Sequence, residues 1–224
     1  MFNKIVFVLV LVLWSGVSWS QSITVGRSME VYSSIDFSGS EFLTYEAFEN
    51  AYRGYLKMKS VGLVSSDREV ITICDFNLPS YTKRMWVIDL SAMKVLFNTW
   101  VAHGQNSGDT VAEKFSNKVN SHQSSLGFYV TGQTYRGDHG VQLRLDGKDD
   151  GFNTSAMDRG IVLHGSKYVS REFLTKAGKL GKSWGCPAVS YSVVSPMINI
   201  IKGGTCLFIW FKDQKYLEKS KWLK

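Results

Sequence analysis

The sequence predicts a mainly β domain with short helices, an α+β chain whose sandwich-like or barrel-like body follows an N-terminal helix. Short β-branched and aromatic runs recur from Val70 to Phe211, and Gly, Asn, Asp and Ser separate them. Long helical patterns between the runs are missing, which disfavours a doubly wound parallel sheet.

In chain order, Lys4 and the apolar run Ile5 to Leu13 read as a secretory signal. Ser18-Trp19-Ser20 offers small residues for a cut before Gln21, so residues 1–20 are expected to be removed. The remaining chain then has no stable membrane span and works in the periplasm or at the cell wall. From Thr44 to Lys57, Phe48, Ala51, Tyr52, Tyr55 and Leu56 recur at three- and four-residue intervals, which predicts a packed helix with Thr44 as N-cap. Residues 21–59 are thus expected as a helical segment packed on the body. Strands follow at Val70 to Phe76, Met85 to Leu90, Val95 to Ala102, Gly127 to Thr131, Val141 to Leu145 and Ile161 to His164. A short helical turn is expected from Ser170 to Ala177. Ser195-Pro196 reads as an N-cap and first helical position, with Gly203-Gly204 as the stop. Thr205 to Phe211 is apolar enough for a strand covered on both faces. The body is therefore placed at 60–211, with a solvated basic tail at 212–224.

The 224 residues make one or two small domains, and their 44% hydrophobic and 20% charged composition argues against disorder or a coiled coil. Lys and Arg exceed Asp and Glu by 26 to 19, for a net charge of +7. The positive residues form no stripe with interleaved aromatics, so nucleic acid is not the expected partner. An anionic cell envelope is. Oligomeric state is not readable.

The three cysteines, Cys74, Cys186 and Cys206, are too few and too scattered for a disulfide framework, and at least one thiol is expected to be free. Cys74 and Cys206 lie within strand patterns and read as small core residues. Cys186 lies in the turn-rich stretch Lys182-Ser183-Trp184-Gly185-Cys186-Pro187, where a thiol can be exposed and aimed. A nucleophilic thiol needs a base within reach, and His164, at the end of Ile161-Val162-Leu163, is where a strand meets a loop. A metal site made from His103, His139 and His164 is the competing reading, but no ligand spacing supports zinc. His122 reads as a solvent-facing loop residue. Arg159 could receive a substrate carboxylate or sit in a structural ion pair.

His164-Gly165 followed by Ser183-Trp184-Gly185-Cys186 resembles the His-Gly through Ser-x-Gly-Cys signature of the L,D-transpeptidase, or YkuD-type, family. His103 to Gly108, Phe115-Ser116-Asn117, Ser124 to Tyr129 and Tyr135-Arg136-Gly137-Asp138-His139-Gly140 resemble its murein L,D-transpeptidase catalytic-domain branch. The likeness covers roughly residues 60–211. Trp184 stands where many members carry His or Arg, and the interval from His164 to Cys186 is longer than usual. Both departures bear on substrate preference.

The resemblance implies an L,D-transpeptidase catalytic fold and a cysteine acyltransferase acting on peptidoglycan stem peptides. Cys186 would attack the carbonyl of the third, diamino-acid residue of a stem tetrapeptide and expel D-Ala, with His164 as the base. Gly185 and Cys186 N–H groups would serve the oxyanion, and Ser183 would position the loop or the imidazole. Trp184, Arg159, Tyr135, His139 and Gly165 are the expected substrate-side residues. No metal or cofactor is expected, and the thiol should react with a carbapenem. Hydrolysis, as an L,D-carboxypeptidase, or exchange with a free D-amino acid would use the same acyl-enzyme. A catalytically silent wall-binding domain is the alternative from another class.

Overall fold

The computed structural model describes residues 26–224, and the expected signal segment lies outside them. The first described element is a helix at 26–34, α1. Helix α2 spans Tyr45–Ser60, and Thr44 Oγ1 accepts the Ala47 N–H at its start. The expected stripe is its buried face, with Phe48, Ala51, Tyr52 and Tyr55 packed inward. Tyr32 of α1 packs against Phe48 and donates through its hydroxyl to the Leu43 carbonyl, tying the two helices together.

Among the described residues, eight strands form one sheet. They are β1 (Val70–Asp75), β2 (Met85–Asp89), β3 (Lys94–Thr99), β4 (Gly127–Gly137), β5 (Gly140–Gly147), β6 (Val162–Gly165), β7 (Ala188–Val189) and β8 (Cys206–Trp210), in the order β3-β2-β1-β8-β4-β5-β6-β7. Pairs β1–β8 and β6–β7 are parallel and the others antiparallel. Just beyond β3, the Ala102 N–H donates to the Ala188 carbonyl of β7 at 2.8 Å. That bridge joins the chain of one outer strand to the other, so the sheet curls into a nearly closed barrel, as the sequence predicts.

Trp86, Phe128, Phe208 and Trp210 fill the core. Helix α2 packs on β1 and β8, while α4 (Tyr191–Ile201) packs on β5, β6 and β1. Cys74 and Cys206 are fully buried and unpaired, and burial pushes the Cys74 thiol up to about 12. A thiolate is disfavoured there, as expected of core cysteines.

Three expectations need correction. Helix α4 begins at Tyr191 with Ser190 as its cap, so Pro196 sits inside it rather than at its first position. The stripe Val194, Met197, Ile198 and Ile201 is buried as one face, and that packing outweighs the missing Pro196 N–H. Strand β4 runs six residues past the expected Thr131, because polar, largely exposed residues continue the ladder to Gly137 with a register shift between Thr131 and Thr134. The basic tail keeps its lysines in solvent but is not free. Its helix α5 (Gln214–Lys219) docks through fully buried Tyr216, and Trp222 and Leu223 are buried beyond it. Tyr216 and Ser220 both donate to Asp149, whose carboxylate also accepts the Phe128 N–H at 2.7 Å. Sparse apolar residues among lysines hid this contact from periodicity. The turn expected after Ser170 is present as helix α3 (Arg171–Ala177).

Candidate active site

Strand β6 sits between β5 and β7, with His164 opposite Gln142 on one side and Ala188 on the other. Extending the parallel β6–β7 register back by two residues brings Cys186 beside Val162, and the Val162 N–H donates to Cys186 Sγ at 3.4 Å. Val162 and His164 lie on the same strand face by the alternation of a strand. Sheet pairing thus draws the cysteine and the histidine, distant in sequence, into one cavity of about 640 Å³. That volume suits a medium-sized ligand.

His164 is buried, and its Nδ1 lies 3.0 Å from the Gly165 carbonyl. A carbonyl only accepts, so Nδ1 carries the proton and Nε2 is left basic. Burial lowers the His164 pKa, the Gly165 bond opposes that, and nearby His139 adds to the lowering. The thiol donates to the Gly160 carbonyl at 3.8 Å. Burial pushes the Cys186 thiol up, against the pull of the Val162 N–H and the Arg159 charge. Both shifts favour the uncharged forms, a thiol and a neutral imidazole. No hydrogen bond joins Sγ to His164 at rest. Such contacts often tighten only when substrate is bound.

The loop that carries Cys186 is held by its own serine. Ser183 Oγ donates to the Cys186 carbonyl at 2.6 Å and accepts the Gly185 N–H at 3.0 Å. The Gly185 N–H, expected as an oxyanion donor, is thereby engaged, whereas the Cys186 N–H is paired with nothing among the described residues. Gly185 has φ +120°, and a Cβ there would lie 2.7 Å from the Gln123 carbonyl. Only glycine fits that turn. At the end of β6, a Cβ on Gly165 would lie 2.5 Å from the Tyr191 ring, so glycine lets the start of α4 close against the end of β6.

A family model described as the L,D-transpeptidase catalytic domain matches residues 40–210. The chain belongs to this L,D-transpeptidase family. The match takes in α2 and begins some way before the expected body. No curated protein matches the sequence. Among solved structures, the chain is similar to an L,D-transpeptidase from Mycobacterium smegmatis, at 14% identity and TM-score 0.40, covering 64% of this chain and 59% of that one. It is similar to the helical cell shape determining protein Pgp2 from Campylobacter jejuni at 13% identity and TM-score 0.44, covering 74% and 57%. An L,D-transpeptidase (Yku) from Stackebrandtia nassauensis shares 12% identity at TM-score 0.36, covering 85% and 92%. The chain thus spans less than two thirds of the first two.

In this L,D-transpeptidase domain, Trp184 is 71% exposed on the rim of the cavity. It stacks on His122 at 4.9 Å between ring centroids and 7° between planes. His122 lies in a loop, as expected, and is partly covered there; the Gln105 amide fixes it by donating to Nδ1 at 3.0 Å. Arg159 lines the same cavity but has no ion pair with any described carboxylate. Its guanidinium donates to the Ser116 carbonyl at 2.5 Å, the Gln123 carbonyl at 2.5 Å, and the Ser121 and Ser125 hydroxyls. Neutral acceptors leave its charge uncancelled near the thiol. Tyr135 and His139 also line the cavity, where the polar extension of β4 carries them.

His103 does not join His139 and His164 in a group that could hold a metal among the described residues. Buried Arg84 donates to its Nδ1 at 2.8 Å, so His103 holds its proton on Nε2. Arg84 also donates to the Leu78 and Val101 carbonyls. The His103 carbonyl in turn accepts the Ser183 N–H at 3.0 Å, and the Gln105 N–H donates to the Ser183 carbonyl at 2.8 Å. A buried Arg–His pair thus braces the segment on which the Cys186 loop rests. Sequence reasoning missed this support and the Gln123 contact, because both depend on folded backbone. The family-like segments around His103 and Ser124 were the signal available.

Proposed function

We propose that the protein is a cysteine-dependent peptidoglycan L,D-transpeptidase, working at the cell wall outside the inner membrane. The observation that supports this best is the convergence of His164, on β6, and Cys186, in the loop just before β7, in one cavity. The thiol proton passes to His164 Nε2 as Sγ attacks the diamino-acid carbonyl of a stem tetrapeptide. The Cys186 N–H faces the charge developing on that oxygen; one such donor is typically worth about 3 kcal/mol of barrier. Collapse breaks the C–N bond, and His164 returns its proton to the departing D-Ala amine. An amine of a second stem then loses a proton to His164, attacks the thioester and releases Sγ, which recovers its proton.

The test is incubation of purified protein with disaccharide tetrapeptide, followed by mass. Dimers lacking one D-Ala support transpeptidation, tripeptide alone supports the carboxypeptidase reading, and substitution of the terminal residue supports exchange. An unchanged substrate overturns all three. Cys186→Ala must abolish any product, and a carbapenem should add covalently to wild type but not to that variant.

A further inference from the structure

His139 is exposed at the tip of the β4–β5 hairpin, in the two-residue turn between paired Gly137 and Gly140. A tip residue in so open a setting has every reason to point into water. Its ring instead lies over the buried His164 ring, with 4.4 Å between centroids and 19° between planes. The stem of the hairpin is tied to the same strand system. Tyr135 donates to Gln142 Oε1 at 2.8 Å, and Gln142 is the cross-strand neighbour of both Tyr135 and His164. One edge of the His164 ring is fixed by the Gly165 carbonyl, and one face is covered by a second imidazole.

We propose that His139 is a positioning residue for the base: it packs the face of His164 and, as a second imidazole against that ring, favours the neutral, proton-accepting form of His164. This rests on the reading of His164 as the base. Two imidazolium rings this close repel, so the pair takes up protons one at a time and a charge on the outer ring defers protonation of the inner one. The neutral outer ring, in contrast, offers a π face to the imidazolium that forms during attack. Other titratable groups lining the cavity are Asp138, Tyr135, Tyr168, Arg159, Lys182 and Cys186, and Lys182 is paired with Asp109 at 2.9 Å.

The experiment compares full-length wild type with His139→Ala and His139→Phe, the latter keeping a ring but no proton. NMR titration of His164 and the pH profile of Cys186 alkylation by iodoacetamide need no peptidoglycan, so they test the stack even if the tetrapeptide is not a substrate. In His139→Phe the His164 titration and the acid limb of alkylation should both move to higher pH. Where tetrapeptide is turned over, His139→Ala should lower kcat by about 10²-fold with KM little changed, and His139→Phe should recover most of that loss. Thermal melts confirm that the variants are folded. An unchanged His164 titration in His139→Phe overturns the proposal, as does a His139→Ala variant whose alkylation profile and kcat match wild type.

Discussion

Ser183 Oγ donates to the carbonyl of Cys186 at 2.6 Å while accepting the Gly185 N–H, so one hydroxyl closes the turn that presents the thiol. The backbone conformation at Cys186 depends on that side chain, since Gly185 with its φ of +120° has no steric preference of its own to hold it there.

Ser183→Ala should cost about 1–3 kcal/mol, because it leaves two backbone groups without their partner. A drop of several degrees in Tm is expected, and kcat/KM should fall by about 10²-fold as the thiol loses its aim. Full activity combined with a lowered Tm would restrict Ser183 to a purely structural part.

Arg159 holds its charge near Cys186 without an ion pair to any described carboxylate, and that charge opposes the rise in thiol pKa caused by burial. Arg159→Gln should therefore slow iodoacetamide alkylation at neutral pH and move its profile upward. Arg159→Lys keeps the charge, so its profile should move less, although the loop at 116–125 loses its forked donor. Identical profiles for wild type and Arg159→Gln would count against the electrostatic role.

His103 is buried beside the Arg84 guanidinium, and burial followed by that charge lowers its pKa to about 4. An unfolded histidine titrates near 6.5, so above that pH neither state binds the proton. As pH falls from about 6.5 toward 4, the unfolded state binds it first and stability is lost, by up to about 3 kcal/mol in all. His164 is shifted in the same direction. Urea midpoints measured across this range should fall with acid, and His103→Asn, which keeps an acceptor for Arg84 without a titrating ring, should flatten the slope. An equal slope in the variant would assign the effect to other groups.

Deleting residues 213–224 should be far more damaging than trimming a free tail. Asp149 is buried and would lose the Tyr216 and Ser220 hydroxyls, leaving only the Phe128 N–H on its carboxylate. We expect a loss of about 3 kcal/mol or more, read as a lower urea midpoint. Unaltered stability would restore the picture of a solvated tail.

Periodicity and residue chemistry alone placed α2, six strands of the body and the final buried strand, because each carries its own apolar stripe or β-branched run. They also singled out Cys186 through its turn-rich setting, and His164 through its place at a strand end. What they could not supply was pairing. The two-residue strand β7 is too short to have a period, and the polar extension of β4 has no hydrophobic pattern to betray it. Yet β7 sets the cysteine beside Val162, and the β4 extension carries His139 onto His164. Backbone donors such as the Val162 N–H, and supports such as Arg84 under His103, are invisible in a string of side chains. Residue identity is local and legible in sequence, whereas a site assembled by sheet register from segments far apart exists only once the barrel has closed.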